Sequence, residues 1–429
     1  MILNLEDHKE LIEKAYSRFR LLKNEYDKMY EYYKGNTDAI KNYLMVTERS
    51  NLKINTNYIK KFVKEEVAYT LGNDITYESR TDNINIIKDI EYYTSHWNEL
   101  HDTDLMKYMI IFTKVYELYY INKDADFCSR IVKGNEGYAY VDETSDEVLF
   151  FIHCYRREKE NLIDLYSDNL IYHLNDKFEE ISTPTINILG EVPVSIGDLT
   201  QENYSDSLYK DLKGLQDAFE TNLSDIANEI SDFRNAYLLI KNADINIDDV
   251  PDMKRYGILQ LPNTSGEKAD ANWLIKNIND TFIQNTLNRY EDTMYQLACH
   301  INHNEKMQSN ISGVALRSRL IILENKCSLQ IKAHKNIIKN RLRFLFKYLN
   351  IKLNKNYDYK DVKALYTPNI PIDDLSTAQM ISQIPEGIIS KDTARGRFSF
   401  INNTVAEAEK VKKEQQEEIQ IDLDNLGVE

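Results

Sequence analysis

The stretch SGVALRSRLIILENKCSLQIKAHKNIIKNRLRFLFKYLN, residues 312–350, decides how this chain is read. After Gly313 it runs to about Leu349 without Gly or Pro. Leu316, Leu320, Leu323, Cys327, Ile331, Ile338, Leu342, Leu345 and Leu349 recur at helical spacing, which predicts one helix from Val314 to about Leu349. Ser312-Gly313 supplies its start, although Gly is only a fair N-cap. Seven prolines and thirteen glycines in 429 residues leave room for other long elements, mostly helices.

Working outward toward the N-terminus, a polar segment, His300 to Asn310, precedes the long helix, and a helix is predicted over Leu274 to Ala298. Before that lies a mixed insert, Ala236 to Trp273, with strand-like Tyr237–Ile240 and Tyr256–Pro262 between turns at Pro251 and at Asn263-Thr-Ser-Gly266. The helix expected over Tyr204 to Asn235 places Leu208, Leu212, Leu215, Phe219, Leu223, Ile226, Ile230 and Phe233 on one face. From about Phe127 to Ile188 the pattern changes: Glu136–Val141, Val148–His153 and Leu170–His173 predict an antiparallel sheet. Nearer the start, an apolar stripe over residues 6–34 stops at Gly35-Asn36, and a second helix, Asn57 to Leu71, ends at Gly72. Ile75-Thr-Tyr77 reads as a short strand and Ile84 to Asn122 as helical. On the C-terminal side Pro368, Pro371 and Pro385 break the chain. Ala406 to Gln420 is a charged helix with almost no apolar face, expected to be peripheral or to order on assembly.

Composition bounds the function. With 42% apolar and 28% charged residues the chain reads as globular, and no stretch reaches the ~18 consecutive apolar residues of a membrane span. The acidic start is expected to be no secretory signal. Cys128, Cys154, Cys299 and Cys327 stand far apart, without a CxxC pair, which suits a reducing compartment. The net charge of −16 argues against a general nucleic-acid binder. Its distribution says more. Residues 311–370 hold thirteen Lys/Arg against three Asp/Glu, residues 371–429 six against twelve, and the first 310 carry about −20.

Several segments, in order, resemble the portal (head–tail connector) proteins of long-tailed phages of Gram-positive bacteria, over about residues 26–414. They are Tyr32-Tyr-Lys-Gly35, Asn57-Tyr58, then Val63, Val67, Tyr69, Gly72 and Ile75-Thr-Tyr77. Asp206 to Asn235 resembles the helix that enters the stem, Ser309 to Leu316 with Leu323-Glu-Asn-Lys326 the start of the longest helix, and Ile384 to Ser390 the turn before the tail. Each motif is weak alone; five in order are specific.

The resemblance implies a mainly α fold with a smaller β component (α+β), divided into wing, stem, clip and crown and assembled as a ring of about twelve copies. On this reading residues 1–203 are wing, with the β-rich part at 127–188. Residues 204–235 and 274–299 are stem helices, 236–273 the clip and 300–312 a tunnel loop. Residues 313–370 hold the long wing helix and the segment after it, and 371–429 the crown and acidic tail. The tail after Ser390 is short, which implies a reduced crown. The implied work is structural: a channel at one head vertex for DNA packaging, retention and ejection, in a virion assembled in the host cytoplasm. Partners would be the terminase large subunit, a head–tail adaptor, capsid and scaffolding proteins, and double-stranded DNA passing through without sequence reading. No enzyme activity, cofactor, metal or membrane is implied.

Site residues follow from that scheme. His303, Asn304, Glu305, Lys306, Gln308 and Asn310 would face DNA; Asp248, Asp249, Lys254, Arg255 and Tyr256 would meet terminase and adaptor; Leu316, Leu320 and Leu323 would form the contact between subunits. Sharper chemistry finds little support. Cys299-His-Ile-Asn-His303 looks metal-like but lacks a complete ligand set, and Asp248-Asp249 with Asp373-Asp374 read as acidic turns. GxxxxGK[ST], HExxH and GxSxG are absent. The basic run Arg317, Arg319, Lys326, Lys332, Lys335, Lys339, Arg341, Arg343 and Lys347 could bind phosphate; pairing with acidic neighbours across subunits is the favoured reading. The competing classes are a phage nucleic-acid enzyme using the acidic clusters and a non-viral helical scaffold.

Overall fold

A computed structural model describes residues 5, 7–44, 51–200, 202–233, 237–241, 270–274, 280–302, 313–369, 374–385, 387–398, 400–401 and 404–425. Helix α1 (Lys9–Lys34) buries Ile12, Ala15, Phe19, Tyr26, Met29 and Tyr32, the stripe its sequence predicts. It ends where Gly35 takes a φ of 89°, with the Gly35 and Asn36 amides donating to the carbonyls of Tyr32 and Glu31. After α2 (Asp38–Asn42), an extended stretch leads to α3 (Tyr58–Leu71), whose N-cap Asn57 accepts from the Lys60 amide.

The β region begins earlier than expected. Strand β1 (Thr76–Ser79) is followed by α4 (Ile84–Thr94) and α5 (His101–Phe112), and Thr113, at φ 60°, ends α5. The reading of helix as far as Asn122 is corrected here: Lys114–Ile121 is β2. Its β-branched and aromatic residues suit a strand, and successive residues from Val115 to Tyr119 are buried, which erases the alternation that marks a half-exposed strand. It pairs with β3 (Phe127–Lys133). A meander of β4 (Gly137–Val141), β5 (Val148–Arg157), β6 (Glu160–Tyr166), β7 (Leu170–Asn175) and β8 (Glu180–Ile186) forms a five-stranded antiparallel sheet. Then β9 (Val194–Asp198) returns to the other side of β2, so the β-rich part spans 114–198 rather than 127–188.

Helix α6 (Leu208–Phe233) leads to β10 (Tyr237–Lys241), which pairs antiparallel with β11 (Asp270–Leu274). Helix α7 therefore starts at Asp280 and runs to Ala298, later than the predicted Leu274. Helix α8 (Gly313–Leu353) holds 41 residues. After it, β12 (Val362–Leu365) pairs with β1 from the other end of the chain, and α9 (Asp374–Gln383), α10 (Lys391–Arg395) and α11 (Thr404–Asn425) complete the described elements.

The largest core joins α1, α3, α5, α6, α7 and the middle of α8. A second surrounds the C-terminal half of α8, where Ile338, Leu342, Phe344, Leu345, Phe346, Tyr348 and Leu349 are buried on nearly all sides. The long helix crosses β9 so closely that a Cβ on Gly197 would stand 2.5 Å from Ile337 Cδ1 and 2.9 Å from Val115 Cγ1, so any larger residue would force the core side chains at that crossing to shift.

Candidate functional site

Helix α3 carries the acid pair Glu65-Glu66, and Glu66 lies in the buried column Phe62, Glu66, Thr70, one helical turn apart. A carboxylate so placed needs partners, and they come from both sides of residues 303–312. On the near side α7 ends at Ala298, Cys299 turns the chain at φ 63°, and His300 is brought over Phe62 with ring centroids 4.5 Å apart. His300 Nδ1 lies 2.7 Å from Glu65 Oε2 and Nε2 3.0 Å from Glu66 Oε1. Each ring nitrogen can donate there only when the imidazole holds both protons.

On the far side α8 contributes Lys326 and Gln330. Lys326 Nζ donates to Glu66 Oε1 at 2.7 Å and to the Ala298 carbonyl at 2.9 Å, capping the end of α7. Gln330 Nε2 donates to Glu66 Oε2. Burial alone would raise the Glu66 carboxyl, but Lys326 and His300 outweigh it and hold the group below its ordinary range. One buried carboxylate thus ties the exit of α7 to the first third of α8.

A second polar cluster fixes α8 further along. Arg341 Nη2 reaches Asp102 at 2.6 Å and Glu117 Oε1 at 2.8 Å, while its Nε donates to Glu117 Oε2 at 3.1 Å. Glu117 also accepts from the hydroxyls of Tyr119 at 2.7 Å and Ser129 at 2.8 Å and faces His101 Nε2 at 2.8 Å. Burial pushes the Glu117 carboxyl up, but the Arg341 and His101 contacts bring it well below the carboxylate range. Nearer the helix end, Arg343 and Lys347 both pair with Glu191. Lys326, Arg341, Arg343 and Lys347 thus have acidic partners within their own chain, so for these four the pairing expected across subunits is met inside one subunit.

Helix α6 is held differently. Gln216, Glu220, Ser224 and Asn228, four residues apart, are buried polar side chains that receive the extended stretch before α3. Asn228 Oδ1 accepts from the Leu52 amide at 2.7 Å, Ser224 Oγ from Ile54 at 3.0 Å and Glu220 Oε1 from Thr56 at 3.0 Å. Four helical residues advance ~6.0 Å and two extended residues ~6.6 Å, so every second amide meets every fourth side chain.

Of the residues singled out from sequence, His303, Asn304, Glu305, Lys306, Gln308 and Asn310 lie outside the described residues. So do Asp248, Asp249, Lys254, Arg255 and Tyr256 and the side chain of Leu316. Leu320 is half-buried. Leu323, 8% exposed, packs inside its own chain, so it is not available as drawn for a contact between subunits. Among the described residues, the large apolar side chains this helix leaves open are Ile321, Ile322, Leu329, Ile351 and Leu353. Sequence reading passed over Glu66 and Glu117, though each had a signal: a carboxylate at a position the apolar period assigns to the core.

The described residues on either side of 303–312 thus meet at one buried carboxylate. The chain belongs to the phage portal proteins: the family model "Phage portal protein, SPP1 Gp6-like" matches residues 14–420. Portal proteins are structural head–tail connectors, and the α+β architecture fits that class. Among curated proteins the chain is similar to the portal protein of Bacillus phage SPP1, with 22% identity over 433 residues, covering 92% of this chain and 82% of the relative. Among solved structures it is similar in fold to a chain from the "Neck of empty GTA particle computed with C6 symmetry". The TM-score is 0.50 at 8% identity, over 78% of this chain and 88% of that one.

Proposed function

We propose that this portal subunit closes with about eleven further copies into a ring at one vertex of a phage head, and that duplex DNA passes through the ring during packaging, retention and ejection. The observation that carries the reading is the double anchoring at Glu66, where His300, before residues 303–312, and Lys326 of α8, after them, meet one buried carboxylate. A segment held this way can project into a channel without pulling the helices apart. His303, Asn304, Glu305, Lys306, Gln308 and Asn310 would face DNA, with Glu305 and Lys306 cancelling in charge. Contact with phosphate would then be weak and easily exchanged, while the acidic body discourages adhesion.

The pairing of β10 with β11 supports reading 236–273 as a unit closed at its base, the clip. There Asp248, Asp249, Lys254, Arg255 and Tyr256 would meet the terminase and later a head–tail adaptor. The C6 symmetry of the neck to which the structural neighbour belongs favours a ring over a monomer.

The test combines light scattering with packaged DNA length. A ring of about twelve 50.4 kDa chains weighs about 0.6 MDa. Replacing Asn304, Glu305 and Lys306 by alanine should leave that mass unchanged and shorten or destabilise the packaged DNA. A stable monomer would sink the ring, and normal DNA content in intact rings would move the loop out of the channel.

A further inference from the structure

The basic segment is only partly neutralised by its own chain, and part of what remains is gathered in one place. Lys335 and Lys339, one turn apart on α8, face Arg80, Lys360 and Lys363 across a cleft of about 330 Å³. All five are exposed, and among the described residues none forms an ion pair. Asp361, beside two of them in sequence, is engaged by the hydroxyls of Ser79 and Thr81 at 2.7 and 2.9 Å. Glu78, opposite Lys363 in the β1–β12 register, makes no ion pair with it. The floor is apolar, built by Ile338 and Leu342. Five like charges over an apolar floor cost energy unless carboxylates or phosphates cover them, and the floor favours a ligand with apolar groups of its own.

The chain carries such a ligand. Residues 414–429 hold six carboxylates and no Lys or Arg, with Ile419, Ile421, Leu423 and Leu426 interleaved. Within the single chain, α11 packs on α10. We infer that the acidic C-terminal stretch of a second copy docks in the cleft between α8 and the β1–β12 pair, its carboxylates on Lys335, Lys339 and Lys363 and its aliphatic side chains on the floor. The inference rests on the ring reading, since a ring repeats the same tail beside the same cleft. It accounts for the lysines that find no acidic partner within their own chain.

Carbodiimide, which joins a lysine amine to a carboxylate in contact, tests this on the full-length protein. One copy carries Lys335→Gln and Lys339→Gln with its tail intact; the other carries Glu414→Gln, Glu417→Gln and Glu418→Gln with its cleft intact. When the two are co-expressed, a link between either lysine and one of those glutamates can form only between copies. It should appear in the mixture, be absent from each variant alone, and fall roughly fivefold between 0.15 and 1 M NaCl as screening increases. Links in the wild type that vanish in the mixture would overturn the inference in favour of a tail folded on its own cleft. No such link, with a short DNA duplex protecting Lys335 and Lys339 from acetylation, would make the cleft a phosphate site and equally overturn it. Light scattering on the same samples separates the two failures: rings without links sink only this inference, whereas absence of rings sinks the proposed function.

Discussion

At the scale of single residues, His334 shows what burial in this polar core does. It is fully buried on α8, with Nδ1 2.6 Å from the Tyr366 hydroxyl. Burial pushes its pKa down to about 4, only partly opposed by Asp102 and reinforced by Arg341. The unfolded chain titrates near the ordinary ~6.5, so above that pH both states are neutral and nothing is lost. As pH falls from there toward about 4, the unfolded chain binds a proton that the fold refuses, and stability drops by about 2 kcal/mol at pH 5. Glu117 and Asp102, whose carboxyls the fold depresses, contribute fully above the ordinary carboxylate range and lose that contribution as pH falls through it and below. Melting temperatures from pH 8 to pH 5 should therefore fall less for His334→Gln than for the wild type. Parallel curves would show that the histidine is not the group responsible.

At the scale of elements, the polar column on α6 is the feature most open to test. Asn228 accepts from the Leu52 amide and donates to the Leu52 carbonyl, the Tyr43 hydroxyl and the Ser224 carbonyl. Asn228→Leu removes all of these and leaves the part-buried amide and carbonyl of Leu52 without that partner, a cost of about 1 kcal/mol. Because the lost bonds hold 51–57 against the helix, trypsin should cut after Lys53 markedly faster in the variant while α6 itself persists. An unchanged cleavage rate would mean that packing alone holds the stretch in place. The apolar face of α6 was legible from its period, but this column was not. Gln216, Glu220, Ser224 and Asn228 look like an ordinary solvated face until an extended segment is laid along them.

At the scale of the whole molecule, the proposed ring would draw on the exposed apolar side chains of α8 for contact between subunits. Ile322 and Leu329, 59% and 61% exposed, stand seven residues apart and so on one face, while Leu323 turns inward. Ile322→Asp with Leu329→Asp should keep the fold, judged by its melting temperature, yet shift the light-scattering mass from ring to monomer. Leu323→Asp should instead unfold the subunit by burying an unpaired charge. Rings of normal mass from the double variant would place that face at the outer surface.

The sequence by itself determined the helices, the sheet region and the order of segments shared with phage portal proteins, because periodicity and turn residues are local and record which face is buried. Only the tertiary structure decided that Lys114–Ile121 is a strand, that β12 closes on β1, and that Lys326, Arg341, Arg343 and Lys347 of the basic run are divided among Glu66, Glu117 with Asp102, and Glu191. The reason is physical: a pattern along the chain specifies that a charge must find a partner, but the partner is chosen by which distant surfaces the packed core brings within about 3 Å.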